Sequence, residues 1–409
     1  MTTVASALQH LDSAGMRDFL TRFVQIPSVY LPDTAGANES AAATLVADVL
    51  TEWGLNPTVW EVQPGRPNIV AELRGSHGDG PILLMEGHTD VVTPGNLANW
   101  TYPPFAATIV GDRMYGRGTA DMKGGVAAML YAVRALQLAG SPFAGTIRLL
   151  IPVDEEGLMI GIKDIVARGY ATGAAAAIIC EPEEHEVCTA QKGALRLKLH
   201  SIGRVAHGAM PDEGVNALTP LIRLLNPILD LQAELRATHG EHPLLGKIYI
   251  SPTVLRAPIG GDASQVNVLP DSADVYLDIR TIPGVNHQHI VATIQGYIDV
   301  LCQTHPSYQV QLTIIDDRPS TEIPTSHPLV QALRAAHQAI YGVVPAYGGV
   351  PGSTDGTIIT RDSGVPVVVY GPGHKRIPHQ PDEFVDLSEV DNAARVYIHA
   401  ILQFLSTNV

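Results

Sequence analysis

Five acidic or imidazole residues stand where predicted strands of this sequence end: His88, Asp121, Glu156, Glu181 and His379. The segments 81–86, 145–153 and 174–180 are short, apolar and bounded by Gly or Pro, as buried parallel strands are. In an open α/β sheet, ligands bind at the carboxyl ends of the strands. Each residue alone could be an ordinary surface group. Together they form the ligand set of a hydrolase with two metal ions.

Two aspartates extend this interpretation. His88 and Asp90 form an HxD pair, and on an extended segment such residues point to the same side. Asp90 can therefore accept a hydrogen bond from the imidazole of His88 and fix its tautomer. Asp121 lies in the glycine-rich segment GTADMKGG before a predicted helix, where it suits a carboxylate that bridges two ions. The alternative role of Asp121 is that of a helix N-cap.

The adjacent acids Glu155 and Glu156 follow the predicted strand that ends at 153. Consecutive side chains of an irregular segment point in different directions, so one can bind metal while the other faces a water molecule. We assign Glu156 as the ligand and Glu155 as the general base, which must lie within hydrogen-bond reach of the proton that it accepts. The alternative is a solvated acidic loop after a strand.

Length and charge limit the classes of protein. The chain has 409 residues, which suggests two domains, and its net charge is −15 with no basic segment. Nucleic acid and anionic membranes are therefore not expected partners. The N-terminus shows no secretion signal and no segment is apolar enough to span a bilayer, so we expect a cytoplasmic protein. Three cysteines without a CxxC pair exclude a disulfide framework and a cysteine-based zinc site.

The pattern of predicted elements changes after Glu181. Strands at 193–201, 247–256, 272–281 and 308–315 alternate with helices at 214–236 and 287–302. This β-α-β-β-α-β order is the ferredoxin-like arrangement. We therefore expect an α/β fold in which a mixed-sheet catalytic domain is interrupted by an inserted ferredoxin-like domain. The boundaries are placed at 1–191 for the first part of the catalytic domain, 192–316 for the inserted domain and 317–409 for the second part.

The motifs of the chain, taken in order, resemble those of a known family. They read GHTDVV, GRGTADMKGG, DEEG, ICEPE, AHGAMP, NVLP, DIR, GSTDG and HQPDE. This order resembles the acetylornithine deacetylase, succinyl-diaminopimelate desuccinylase, aminoacylase and carboxypeptidase G family of dinuclear zinc hydrolases. The resemblance extends over nearly the whole chain. It implies a catalytic domain interrupted by a smaller lid or dimerisation domain.

The resemblance also implies roles for single residues. His88 and Glu181 complete one metal site, Glu156 and His379 complete the other, and Asp121 bridges them. Glu155 matches the general base of the family, and the peptide bond Asp121–Met122 is expected to be cis. The expected cofactors are two divalent ions per subunit, zinc first, with cobalt or manganese as alternatives. His374 is the rival of His379 for the last ligand position.

Further positions resemble substrate contacts. Arg280 in DIR and Asn267 in NVLP match the family residues that bind the substrate carboxylate, and a guanidinium binds a carboxylate through two hydrogen bonds. The alternative for Arg280 is an ion pair with a neighbouring aspartate on its strand. Ser353 and Thr354 in GSTDG match a loop at the same end of the substrate. His207 in AHGAMP resembles the lid histidine that stabilises the oxyanion, from the opposite subunit in dimeric members.

The function expected is hydrolysis of the amide bond of a small substrate that carries a carboxylate. An N-acyl amino acid deacylase is the first choice, and an exopeptidase of the same family is the alternative. A homodimer through the lid domain is expected. A non-catalytic binding protein with this fold is the remote alternative, and loss of Glu155 or of one ligand would be its sign in the sequence. All six residues are present.

Overall fold

A computed structural model describes residues 3–259 and 265–406. Its α-helices are α1 (Thr3–Gln9), α2 (Ser13–Val24), α3 (Ser40–Glu52), α4 (Gly124–Leu138), α5 (Ile160–Ala167), α6 (Leu218–His239), α7 (His287–Thr304), α8 (Pro328–Tyr341), α9 (Gly356–Ser363) and α10 (Leu387–Ser406). None of the helices in this described part is both long enough and apolar enough to cross a bilayer.

The strands of the described residues are β1 (Thr58–Gln63), β2 (Arg66–Arg74), β3 (Ile82–Glu86), β4 (Thr108–Val110), β5 (Arg113–Tyr115), β6 (Thr146–Ile151), β7 (Ala174–Ile179), β8 (Val187–Gln191), β9 (Gly193–Ile202), β10 (Ala206–His207), β11 (Tyr249–Arg256), β12 (Val268–Leu269), β13 (Ser272–Thr281), β14 (Gln309–Arg318), β15 (Thr321–Glu322), β16 (Tyr347–Val350), β17 (Val367–Val369) and β18 (Phe384–Asp386).

The chain divides into two compact units. The first contains residues 1–189, 322–350 and 354–409, and the second contains residues 190–321 and 351–353. From sequence we place the corresponding boundaries at 192 and 316.

A mixed sheet forms the centre of the first unit, with strand order β1-β2-β6-β3-β7-β17-β8-β15. Strand β3 pairs in parallel with β6 and β7, and β17 pairs in parallel with β7. Strands β3, β6 and β7 are buried along most of their length, because helices cover both faces of such a sheet. Their carboxyl ends therefore lie along one edge, and the expected α/β fold with a mixed sheet is confirmed.

Helix α4 packs into the core of this unit. Eleven of its fifteen residues are buried, which agrees with its alanine-rich sequence that is apolar nearly all round. Gly125 in its first turn lies against the main chain that follows β7, since a Cβ at this position would lie 1.9 Å from the carbonyl oxygen of Cys180. Only glycine permits this approach. The close packing brings the beginning of α4, just after Asp121, to the residue before Glu181.

The second unit contains an antiparallel sheet with strand order β11-β13-β9-β14. The chain runs through it as β9, α6, β11, β13, α7 and β14. The inward residues Leu195, Leu197 and Leu199 of β9 alternate with less buried ones and belong to the apolar core of this unit. Helices α6 and α7 contribute leucine and isoleucine side chains to the same core.

Candidate metal centre

One cluster of possible ligands lies at the carboxyl ends of β3 and β7. His88 Nε2 lies 3.2 Å from Asp121 Oδ1 and 3.5 Å from Glu181 Oε1. His88 is fully buried, and Asp121 and Glu181 are nearly so. His88 stands two residues after β3, whereas Glu181 stands two residues after β7. Because these parallel strands are neighbours, their ends place an imidazole and a carboxylate side by side.

A second cluster shares Asp121 with the first. His379 Nε2 lies 2.9 Å from Glu156 Oε1 and 3.3 Å from Asp121 Oδ2. The two carboxylate oxygens of Asp121 thus face different imidazoles, Oδ1 that of His88 and Oδ2 that of His379. His379 is the most exposed member, with 52% of its side chain accessible. One carboxylate between two imidazoles has the arrangement of a group that can bridge two cations.

A buried glutamate holds the main chain at Asp121. Glu383 Oε1 accepts hydrogen bonds from the backbone N–H groups of Ala120 (3.0 Å) and Asp121 (3.2 Å). Its other oxygen forms a buried ion pair with Arg117. Glu383 and Arg117 are 0% and 2% exposed. The peptide bond Asp121–Met122 is cis, as the resemblance implies.

Asp90 contacts both His88 and the turn of the two glutamates. The Nδ1 atom of His88 lies 3.0 Å from the main-chain oxygen of Asp90 and 3.5 Å from its Oδ1. The carboxylate of Asp90 also accepts from the backbone N–H groups of Glu155 (3.2 Å) and Glu156 (3.1 Å). One side chain therefore orients a possible ligand and fixes the main chain of the candidate base. This second contact was not predicted from the sequence.

Burial and repulsion between neighbouring carboxylates raise the pKa values of Glu181 and Glu155 in these clusters. Burial, followed by repulsion from Asp121, raises the pKa of Glu181 to about 8. Burial also raises the pKa of Glu155 well above its usual value, and the nearby Glu181 and Glu156 add to that effect. The carboxylates of Asp121 and Glu156 raise the pKa of His379 to about 10. Crowded, desolvated carboxylates are stabilised in their charged form by nearby positive charge.

The donor set fits divalent cations. His88, Asp121 and Glu181 offer one nitrogen and two carboxylates, and Asp121, Glu156 and His379 offer the same set; in each, one donor atom per residue lies within 4.8 Å of the others. Imidazole and carboxylate suit zinc, cobalt and manganese alike, so these donors do not choose among them. The buried negative charge of the clusters gives an electrostatic reason for cations at this place.

His374, the rival of His379, lies elsewhere. Its Nδ1 is 3.5 Å from Glu184, and its Nε2 is 3.9 Å from Asp386. It forms a third group of potential ligands with Asp386 and Glu389. Neither Asp121 nor Glu156 belongs to that group. Of the two rivals, His379 and not His374 therefore lies beside Asp121.

Four of the expected substrate contacts lie in the second unit: His207, Asn267, Arg280 and Ser353. His207 is exposed in β10, and its Nδ1 accepts from the backbone N–H of Ala209 at 3.0 Å. Asn267 is exposed next to β12. Arg280 forms a two-fold ion pair with Asp278, at 2.9 and 3.0 Å. The alternative contact foreseen for Arg280 is thus present in the structure.

Thr354 belongs to the first unit. Its Oγ1 accepts from the backbone N–H of Gly356 at 3.1 Å, at the beginning of α9. The residue is 5% exposed. Its hydroxyl therefore contributes to the start of a helix.

Several buried charges near the clusters were missed from the sequence. Lys123 is fully buried and donates to the carbonyl oxygens of Phe23 (2.9 Å) and Ile26 (2.8 Å), and burial lowers its pKa to about 7. Arg117 and Lys123 both lie inside the motif GRGTADMKGG. Basic residues so close to a proposed bridging aspartate were the available signal.

Comparison with known proteins shows which family the chain is similar to. The family model described as "Peptidase family M20/M25/M40" matches residues 84–403. The chain is 30% identical to an acetylornithine deacetylase of Photorhabdus laumondii over 96% of this chain and 97% of the relative. It is 28% identical to a probable succinyl-diaminopimelate desuccinylase of Staphylococcus aureus over 91% of this chain and 94% of the relative. An M20 family metallo-carboxypeptidase of Sulfolobus solfataricus superposes with a TM-score of 0.78 at 17% identity, covering 95% of this chain and 99% of that one.

Proposed function

The chain belongs to peptidase family M20/M25/M40, and we propose that it hydrolyses the amide bond of a small substrate that carries a carboxylate. Membership of this family makes the chain an enzyme of the hydrolase class. The observation that carries the proposal is the position of Asp121, whose two oxygens face His88 and His379 separately. A carboxylate shared in this way allows two cations to act on one substrate.

The proposed ligands divide between two sites. His88 and Glu181 hold one ion, Glu156 and His379 hold the other, and Asp121 serves both. Zinc is the proposed metal. When bound, a pair of such ions supplies Lewis-acid activation of water and of the scissile carbonyl. The described residues contribute the remaining chemistry, which is proton transfer, orientation and exclusion of water.

Glu155 is the proposed general base. Its side chain is 8% exposed and lies among the carboxylates of the cluster, so burial favours its protonated form. A raised pKa suits a group that must accept a proton from water and then donate it to the leaving amine. Asp90 fixes the main chain of Glu155 through the backbone N–H at 3.2 Å. The base is thereby held on a rigid turn.

The second unit is the proposed lid and dimerisation domain, with a ferredoxin-like fold. Its order of elements and its sheet order support that assignment. His207 is its proposed oxyanion donor, from the partner subunit of a homodimer. Because Nδ1 of His207 accepts a hydrogen bond, the neutral ring carries its proton on Nε2 and can donate it.

Arg280 and Asn267, together with Ser353 and Thr354, are the proposed contacts of the substrate carboxylate. The planar guanidinium of Arg280 already forms a two-fold contact with the carboxylate of Asp278, and a substrate carboxylate would be bound by the same kind of contact. Binding of substrate therefore requires an exchange of the Asp278 contact or a shared one. Asp278 would then tune how tightly Arg280 binds a carboxylate.

An N-acyl amino acid is the proposed substrate, because the two relatives described above are named for removal of acetyl and succinyl groups. The alternative is cleavage of a C-terminal residue or of a dipeptide. The structural resemblance to a metallo-carboxypeptidase, at 17% identity, supports the fold alone and does not choose between the two substrate classes.

Kinetics on a panel of substrates test the proposal. N-acetyl and N-succinyl amino acids and unblocked dipeptides are offered to the zinc-loaded enzyme, and kcat/KM is measured for each. We expect turnover of the acylated amino acids above that of the dipeptides. The reverse order would select the exopeptidase.

The variant Glu155→Gln tests the catalytic role. It should lower kcat by about 10² to 10⁴-fold while two ions remain bound, because an amide cannot accept the proton. Glu52→Gln, at an exposed glutamate at the end of α3, is the matched control and should keep full activity. A protein that binds two ions but turns over no member of the panel would favour the non-catalytic alternative.

A further inference from the structure

We infer that a buried network of Glu39, Arg66 and Asp154 acts as a positioning device for the turn that carries Glu155 and Glu156. The inference rests on the proposed function, since it concerns the delivery of the proposed base and of one proposed ligand. None of the three residues belongs to the candidate ligand clusters of the described residues. Asp154 stands in the motif DEEG, whereas Glu39 and Arg66 lie outside the nine motifs.

Arg66 is the centre of the network. It begins β2 and is 2% exposed. Its Nε lies 3.0 Å from both carboxylate oxygens of Glu39, which is fully buried, and its Nη2 lies 2.7 Å from Asp154 Oδ1. The guanidinium also stacks on Tyr30, with 3.5 Å from Cζ to the ring centroid. The Nε and Nη2 atoms and one face of the planar guanidinium therefore have fixed partners, and an ammonium group could not reproduce them.

Asp154 uses its second oxygen to shape the turn. While Oδ1 accepts from Arg66, Oδ2 accepts from the backbone N–H groups of Leu158 (2.9 Å) and Ile160 (3.4 Å). The residue itself has φ +67, a left-handed conformation that is unfavourable for a residue with a side chain. A Cβ on Gly157 would lie 2.4 Å from Asp154 Oδ1, so the side chain folds tightly over the turn.

The turn is held from its other side by Asp90, which accepts from the N–H groups of Glu155 and Glu156. Residues 154–160 are thus fixed by two carboxylates, of which one is itself fixed by Arg66. Since Asp154 immediately precedes Glu155, a rotation of its main chain moves the side chains of both glutamates. Without the guanidinium of Arg66, Oδ1 of Asp154 loses its hydrogen-bond donor. The side chain of Asp154 is then no longer held in the orientation in which Oδ2 accepts from the turn.

Removal of Arg66 should have different effects if the network only stabilises the fold and if it also positions the turn. Removal of one partner of a buried ion pair leaves the other charge uncompensated and lowers the melting temperature, whatever the role of the pair. A positioning role adds an effect on the chemical step, because displacement of a catalytic group by about 1 Å can cost on the order of a hundredfold in rate. It also adds an effect on the ion that Glu156 is proposed to hold.

The experiment compares Arg66→Gln with a matched control, Arg148→Gln. Arg148 lies on β6 with 14% of its side chain exposed and pairs with Glu72 at 2.7 Å, but it does not contact the turn. For the zinc-loaded enzyme and the best substrate of the panel, Arg66→Gln should lower kcat by about 10 to 100-fold with little change in KM. Arg148→Gln should keep kcat, and Arg66→Lys should lie between.

A second readout does not depend on turnover. Competition of each variant with a chromophoric chelator for zinc gives two dissociation constants. In Arg66→Gln we expect one of them to weaken by about 10 to 100-fold, as is typical when an outer partner of a ligand is lost, and the other to stay unchanged. If Arg66→Gln does not fold, Asp154→Asn retains the pair of Arg66 with Glu39 and should show the same pattern in weaker form.

The outcomes separate the two proposals. Wild-type protein without turnover of any substrate contradicts the proposed function, and the zinc competition still tests the network. Equal losses of melting temperature in the Arg66 and Arg148 variants, with kcat and both zinc constants unchanged, would overturn the positioning role and leave a purely structural pair.

Discussion

Replacement of Glu383 by Gln tests whether the main chain at Asp121 is held by hydrogen bonds or by charge. Glu383 Oε1 accepts the N–H groups of Ala120 and Asp121, and its second oxygen pairs with Arg117. A glutamine can keep the first oxygen in place but offers an amide nitrogen to the guanidinium. The substitution therefore removes the partner of a buried cation while the contacts to the main chain persist.

The magnitude follows from burial. Loss of one partner of a buried ion pair costs about 3–5 kcal/mol, because the remaining charge is left uncompensated. Arg117 is 2% exposed but lies 3.4 Å from the carbonyl oxygen of Thr93 and 5.2 Å from the ring of Trp100. These contacts place the cost at the lower end, about 3 kcal/mol. With a urea dependence of about 3 kcal/mol per molar, the unfolding midpoint should fall by about 1 M.

The assay is urea unfolding followed by tryptophan fluorescence at pH 8. All three tryptophans, Trp53, Trp60 and Trp100, lie in the first unit, so the signal reports the unfolding of that unit. EDTA keeps cation binding out of the measured free energy.

The matched control is Asp386→Asn. Asp386 pairs with Arg113 at 2.9 Å, but the side chain of Arg113 is 46% exposed. An exposed pair contributes about 1 kcal/mol or less, so the midpoint should fall by no more than about 0.3 M. Equal shifts for the two variants would refute the inference that burial decides the cost. Loss of one metal ion from Glu383→Gln would show that the charge also holds Asp121.

The remaining predictions concern the metal, the substrate and pH. Asp121→Ala should lose both ions in a measurement of zinc per subunit, since among the described residues Asp121 is the one that belongs to both candidate ligand clusters; retention of two ions would contradict its bridging role. Arg280→Ala should lower kcat/KM for substrates with a free carboxylate far more than for the matching amides, and an equal loss would assign Arg280 to its pair with Asp278. Burial, with repulsion from His185, lowers the pKa of His337 from 6.5 to about 4, so its neutral form is favoured in the folded state. Its contribution to stability is complete above pH 6.5 and is lost as pH falls towards 4, about 3 kcal/mol in all, and His337→Gln should remove that part of the pH dependence of unfolding.

The long elements could be predicted from periodicity. The segments 82–86, 146–151 and 174–179 are strands within two residues of the predicted bounds, because each is apolar, short and followed by a polar turn. The helix predicted after Asp121 is α4, at Gly124–Leu138. The pattern of apolar residues is clear where one face of an element, or the whole element, must be buried.

Short elements at the edges could not be predicted. Helix α5, at Ile160–Ala167, follows the glutamate turn, and helix α9, at Gly356–Ser363, follows the GSTDG loop. Each has eight residues, too few for an isolated helix to be stable, so packing in the fold determines them. Strand β16 contains two glycines in four residues and depends on its pairing with β8.

The residues of the candidate site were identifiable because chemistry restricts their types. A histidine or carboxylate directly after a buried strand is rare enough to attract notice, and nine motifs in order add weight. Arg66 and Glu39 carry no such signal. They lie 27 positions apart, and only the fold brings the start of β2 to the start of α3. Long-range ion pairs depend on topology, which local patterns do not contain.

The three supporting acids of this site share a way of acting. Glu383 fixes the main chain at Asp121, Asp90 that at Glu155 and Glu156, and Asp154 the turn after them, in each case by accepting backbone N–H groups. An acid in such a role must remain an acceptor, and two of the three pair with a buried arginine: Glu383 with Arg117 and Asp154 with Arg66. The third, Asp90, faces His88, and hydrogen bonds from that imidazole and from the turn hold its pKa below the usual value although burial alone would raise it. The negative charge around the proposed ions is therefore ordered in two layers. The inner carboxylates face each other across Asp121, and the outer ones set their directions without belonging to either proposed ligand set.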